Sequence, residues 1–114
     1  MTAADIQSFK SQPASQSCRL IDFDSAQVVP GIVKGTWFLT VGGTKPWANI
    51  DVSLRPLIYI DKPEYWAIEV VGCSSGIGLP QTAPFWETLE ITQFLGHKGI
   101  EVVGASKSQK IEVS

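Results

Sequence analysis

The sequence predicts an all-β domain, either a small antiparallel barrel or a two-sheet sandwich of about eight short strands. Three observations carry that expectation. From Cys18 onward apolar residues recur with a period of two, and no useful stretch has the helical period. Turn residues (Gly, Pro, Asn, Asp, Ser) interrupt the pattern at short intervals. Finally, the heptapeptide Ile68-Glu69-Val70-Val71-Gly72-Cys73-Ser74 returns as Ile100-Glu101-Val102-Val103-Gly104-Ala105-Ser106, and Lys110-Ile111-Glu112-Val113-Ser114 echoes it. Each long copy reads as an alternating strand, a Gly that ends it and a small-residue turn. Both sit where the return strand of a hairpin would lie, so a duplicated hairpin, 54–72 and 86–104, is expected.

Residues 1–16 are polar and small and read as a mobile N-terminal arm, leaving 17–114 as a single β domain. Strands are expected over 18–23 and 26–33, with Asp24-Ser25 and Pro30-Gly31 as turn chemistry. Residues 35–41 put Trp37, Leu39 and Val41 on one face, and Gly42-Gly43 is expected to stop that strand. The longest alternation sets Ile50, Val52, Leu54, Pro56, Ile58 and Ile60 against Asp51, Ser53, Arg55, Leu57, Tyr59 and Asp61. It reads as an antiparallel strand with one dry face. Pro56 cannot donate to a ladder, so this strand is an edge or bulges there. A turn at 61–64 leads to Trp66, Ile68 and Val70 on one face. Residues 72–84 read as the longest loop, and 85–92, 99–103 and 110–113 complete the strands.

A chain of 114 residues suffices for one modest core, and 44% hydrophobic residues can fill it. The charged fraction of 18% is low against about 25% in typical domains, which points to some apolar surface facing a ligand, a partner or another subunit. A net charge of −2 with thinly spread Lys and Arg gives no footprint for nucleic acid. There is no polybasic run, no apolar stretch of spanning length and no secretory pattern at the N-terminus, so no membrane partner is expected. Cys18 and Cys73 read as two free thiols of a cytoplasmic protein.

The catalytic motifs are thin. Gly72-Cys73-Ser74-Ser75-Gly76 fits G-x-S-x-G, with Glu87 or Glu90 and His97 downstream, but Ile77-Gly78-Leu79-Pro80 cannot start the helix a nucleophile elbow requires. His97 is the single histidine, set between glycines and expected in an exposed turn. Neither cysteine has zinc-ligand spacing, so no metal and no cofactor are expected. Glu87 shares the parity of Phe85, Leu89 and Ile91, an apolar face. A buried carboxylate there would serve as a general base, unless a bulge near Pro84 turns it to water.

Four tryptophans are a heavy aromatic load. Trp37 and Trp66 fall on apolar faces and read as core. Trp47 lies in a loop, and Trp86 shares an outward face with Thr88 and Glu90, a placement favoured at interfaces. Tyr59 and Arg55 share the polar face of the long strand with Asp51, a pattern suited to an anionic or planar group. Gly35-Thr36-Trp37 resembles the G-x-W that opens the first strand of lipocalins and related calycin barrels. That resemblance implies a barrel closed at one end by Trp37 around an apolar ligand, although here a further pair of strands precedes the motif. The expected function is therefore a non-catalytic module binding a small apolar or aromatic molecule or a protein partner through Trp47, Trp86, Tyr59 and Arg55. The alternatives are a small barrel isomerase or cyclase using Glu87, and a self-associating subunit forming a homo-oligomer.

Overall fold

The period-two pattern resolves into eight strands in a computed structural model, which describes residues 16–75 and 81–113. They are β1 (Gln16–Leu20), β2 (Ser25–Pro30), β3 (Trp37–Lys45), β4 (Asp51–Pro56), β5 (Tyr65–Ser75), β6 (Ala83–Glu90), β7 (Gly99–Val103) and β8 (Ser108–Glu112). Every regular element among the described residues is a strand. The expected N-terminal arm lies outside them except for Gln16, as do residues 76–80 of the expected 72–84 loop. On either side of that gap β5 runs on to Ser75 and β6 starts at Ala83.

Two sheets form a sandwich. In the larger, β5 pairs antiparallel with β4 from Asp51↔Cys73 to Pro56↔Ile68. It also pairs in parallel with β7 over Tyr65–Glu69 and antiparallel with β1 over Val71–Ser75. The β4 ladder overlaps both of these, and a strand has only two edges, so β7 and β1 share the second edge end to end. β8 lies antiparallel on the far side of β7. The smaller sheet is β2-β3-β6, antiparallel throughout. The sheets stay open at their edges, with β4 near β6 and β2 near β8. The barrel implied by the Gly35-Thr36-Trp37 resemblance is thus replaced by a sandwich, in which Trp37 is a half-buried residue opening β3.

The core is built by parity. Ile68 and Val70 of β5, Ile100 and Val102 of β7, Leu39 and Val41 of β3, Leu54 and Phe85 meet between the sheets. Ile21, Phe23 and Ile91 reach it from the crossovers, and Trp37 and Trp66 pack against its rim, as their pattern predicts.

The sequence repeat turns out to be sheet neighbours, not a duplicated hairpin. Residues 54–72 do form a hairpin, β4–β5. Residues 86–104 do not: β6 belongs to the small sheet, and 91–98 cross over to place β7 parallel to β5. The two heptapeptides lie side by side with a stagger of two, Ile68 opposite Val102, and the third echo in β8 sets Ile111 opposite Ile100. A stagger of two preserves parity, so each copy turns its Ile inward. The repeated glycine also has a shared neighbour. A Cβ on Gly72 would lie 3.0 Å from the Ile21 side chain, and one on Gly104 would lie 3.1 Å from the Ile21 carbonyl oxygen. Both glycines clear the path by which the chain leaves β1 for the other sheet.

Strand limits depart from expectation in several places. β1 and β2 end at Leu20 and Pro30, short of residues 23 and 33, and β5 runs past Gly72 to Ser75. β3 and β4 differ for reasons their partners supply. Gly42 and Gly43 do not stop β3, which continues to Lys45 because β6 pairs with it residue for residue. β4 ends at Pro56 on the sheet edge, where the proline needs no partner. Beyond it one more ladder bond forms, from the Leu57 N–H to the Ala67 carbonyl at 3.0 Å. The Leu57 carbonyl then accepts the Trp66 indole N–H at 2.8 Å and the Tyr59 hydroxyl accepts the Ala67 N–H at 3.3 Å. Side chains thus replace the ladder, and Ile58 and Ile60 stand in solvent instead of on a dry face.

The cysteines are not free. Cys18 and Cys73 form a disulfide with their Cα atoms 4.1 Å apart, directly opposite in the β1–β5 register. The Ile21 N–H bonds the Val70 carbonyl in the same register, so alternation makes Cys18–Cys73 a non-hydrogen-bonded pair, the closely spaced kind. A spacing of 55 residues hid this contact, and with it goes the ground for a cytoplasmic placement. Where β1 leaves β5, the Asp22 carboxylate accepts the Ser106 N–H at 2.7 Å and its hydroxyl at 2.6 Å, clasping the β7–β8 turn.

Chain-entropy arguments for a bridge spanning 55 residues give about 4 kcal/mol. Cys18→Ala/Cys73→Ala is expected to lose about 2–4 kcal/mol in urea unfolding. Intact protein should also take up no alkylating reagent without reductant. The Ser106 hydrogen bonds hold the Asp22 carboxyl below its ordinary pKa. Its contribution is therefore present above the ordinary carboxylate range and lost as pH falls through the lowered folded value. The Tm difference between wild type and Asp22→Asn should be open at pH 6 and close on acidification; a gap independent of pH would refute this assignment.

Candidate functional site

Outward parity on the small sheet assembles one surface from three strands. Register aligns Val29 with Phe38 and Gln27 with Thr40 between β2 and β3. Between β3 and β6 it aligns Phe38 with Glu90, Thr40 with Thr88 and Gly42 with Trp86. The inward residues of these strands, Val28, Leu39, Val41 and Phe85, belong to the core, so this set faces away from it. Thr40 and Thr88 place their hydroxyl oxygens 3.4 Å apart at its centre.

Trp86 is the prominent feature of this surface. Its ring lies over the backbone of Gly42, where the six-membered ring would collide with any Cβ. Glycine at this position lets the indole lie down on the sheet, yet Trp86 remains 66% exposed. At the end of the face nearest the β2–β3 turn, Pro30, Gly31, Ile32, Val33, Thr36, Phe38 and Glu90 line an open groove of about 490 Å³. Phe38 and Glu90 belong to both groove and face. Glu90 is fixed by the Thr92 hydroxyl at 3.0 Å, and that oxygen accepts the Trp37 N–H at 3.0 Å. The groove is therefore apolar with one oriented carboxylate, an arrangement that binds an apolar body with one donor group.

The other residues expected to make contacts lie elsewhere. Trp47 sits in the β3–β4 turn with the Arg19 guanidinium 5.1 Å above its ring, beside a cleft of about 180 Å³ with Cys18, Ile50, Gly72 and Ser74. Tyr59 is spent on structure: besides its bond to Ala67, its ring stands edge-on to Trp66 at 5.2 Å. Arg55 lies on the outer face of the large sheet opposite Glu69, donating to Ser53 Oγ at 3.1 Å and Cys73 Sγ at 3.3 Å. Arg55 and Tyr59 thus engage different partners, and the structure does not join the four into one site. What the sequence reading missed is the groove, because Ile32 and Val33 read as the end of a strand.

Glu87 keeps inward parity, since the β3–β6 ladder has no bulge. It is half-buried on an edge strand opposite Val41, and none of the grooves described here includes it. His97 is exposed, its N–H bonded to the Pro63 carbonyl. Gly72 through Ser75 lie within β5, which leaves no strand-to-helix elbow there. Among the described residues no three His, Cys, Asp or Glu side chains cluster as metal ligands, and no helix is long and apolar enough to cross a membrane. Comparison with protein-family models, with curated proteins and with solved structures finds no match for this chain.

Gly42→Val should lift the Trp86 ring off the sheet. Quenching of tryptophan emission by acrylamide is expected to rise in that variant, and in Gly42→Val/Trp86→Phe the change should vanish.

Proposed function

We propose that the protein is a non-catalytic binding module that recognises a planar or apolar group on the outer face of the small sheet. The observation that carries this reading is Trp86, two-thirds exposed and laid flat by Gly42. A tryptophan in water forgoes the burial that ordinarily favours it, while its rigid ring gives large contact area at small entropy cost. The adjoining groove supplies apolar depth, and Glu90 an acceptor for one donor. Occupants of this description are a small apolar or aromatic molecule, or the aromatic side chains of a protein partner. Self-association is the second reading, favoured by the open edges of β2 and β6 beside the same face. The bridged cysteines support an oxidising compartment over the cytoplasm.

Native mass spectrometry of protein purified without denaturation tests this. A carried mass of a few hundred daltons, absent from Trp86→Ala and retained by Trp47→Ala, is the expected result. Carried mass that survives Trp86→Ala would overturn the assignment, and a ligand-free dimer abolished by Trp86→Ala would establish self-association. Because the ring is mostly exposed, Trp86→Ala should change stability by less than about 1 kcal/mol.

A further inference from the structure

We propose that one end of the sandwich is a membrane-docking end, at which two loops seat aliphatic tips in the interfacial layer of a lipid bilayer. Chain direction sets the geometry. β3 and β5 both start at this end, so the β2–β3 loop (31–36) and the β4–β5 loop (57–64) lie there together. The β6–β7 crossover (91–98) bridges them. It bonds to Trp37 at the start of β3, takes Phe94 against the Trp66 ring at 5.8 Å, and gives the His97 and Lys98 N–H groups to the Pro63 and Glu64 carbonyls.

Among the described residues, the exposed aliphatic side chains concentrate on these two loops. Ile32 is 106% exposed, Val33 69%, Ile58 97% and Ile60 102%, and Leu57 is partly so. Elsewhere among the described residues the exposed large hydrophobic residues are Val29, Trp47 and Trp86. Isolated exposed apolar residues are ordinary, but four largely bare branched aliphatics on two loops at one end of the sandwich are not.

Their form selects the occupant. Ile32, Ile58 and Ile60 are almost fully exposed, so none of them is seated against the rest of the fold. A rigid protein surface would need a matching socket for each, whereas a fluid bilayer needs no complementary shape. A second copy would have to bury the exposed charges that flank the tips, Lys34, Asp61, Lys62 and Glu64, and charged residues are depleted at the core of protein interfaces. Each loop carries a lysine beside its tip, Lys34 after Val33 and Lys62 two residues after Ile60, with stems long enough to reach lipid phosphates. Asp61 and Glu90 offset that charge, and Glu64 pairs with Lys98 of the crossover at 3.6 Å. Insertion, not electrostatic attraction, therefore supplies the affinity. The expectation of no membrane partner looked for spanning segments and polybasic runs, and loop tips are neither.

Flotation of the full chain with phosphatidylcholine vesicles, with and without phosphatidylserine, tests the assignment. Wild type should partition onto both, with less than about tenfold difference between them. Ile32→Ser/Ile58→Ser/Ile60→Ser should lower partitioning about tenfold or more with unchanged Tm, because these side chains contribute nothing to the core. Ile58→Trp should raise it, with a blue shift in emission on adding vesicles. Trp86→Ala should leave it unaltered, which separates lipid docking from ligand binding at the Trp86 ring, although Ile32 and Val33 also line the groove. Wild type remaining unbound to both vesicles would overturn the proposal. So would equal partitioning of the triple variant, or a vesicle-independent dimer abolished by the same substitutions, which would assign the tips to a second copy.

Discussion

Strand β5 holds three partners at once, and the arrangement of the large sheet follows from that. Its eleven residues exceed what any one neighbour can pair, so β7 takes the first half of one edge and β1 the second, while β4 spans the junction from the other side. The junction is a weak point, since two strand ends meet there and the chain departs for the other sheet. Three features secure it. The disulfide fastens β1 to β5 two residues before the strand ends, the repeated glycines leave room for Ile21 to pass, and Asp22 ties the departing chain to the β7–β8 turn. Because β1 pairs with residues more than fifty positions away, closing this edge is a non-local event that local strand propensity cannot drive.

Period and punctuation made the strands legible, and they did so best where one face is buried. β7 spans the residues expected, and Trp66, Ile68 and Val70 point inward as their parity requires. Partner choice was much less legible. The heptapeptide repeat suggested two equal hairpins because hairpin pairing is the local default, yet the copies pair with each other across a crossover. Nothing in the strand pattern separates these topologies: parity is the same in both. The same limit hid the disulfide, whose partners meet through register alone.

Misreadings at the surface have a common cause: alternation continued past the end of a ladder. Ile58 and Ile60 keep the period of Val52 and Leu54, but backbone pairing ends with the Leu57 N–H just past Pro56, and Tyr59 and Trp66 make the next hydrogen bonds with side-chain atoms. Tyr59 was thereby diverted from any contact role, and Arg55 was left on the opposite sheet from Trp86. Trp86 was correctly read as outward because β6 keeps perfect register with β3. Its flat pose was not readable, since it depends on Gly42, a residue distant in sequence and expected to break its strand.

The proposed ligand face and the proposed lipid-facing end are not independent surfaces. Ile32 and Val33 line the groove that opens onto the Trp86 face, so they belong to both. Were the loop tips to sit in a bilayer, the groove that Ile32 and Val33 line would open beside it. A ligand reaching Trp86 through that groove would then pass between lipid and sheet, beside the Glu90 carboxylate. Such a placement would favour an amphiphile over a freely soluble solute, because an amphiphile would concentrate where the groove opens. The charge balance agrees: a carboxylate at the groove mouth suits a donor or cationic head on that amphiphile and repels an anionic one.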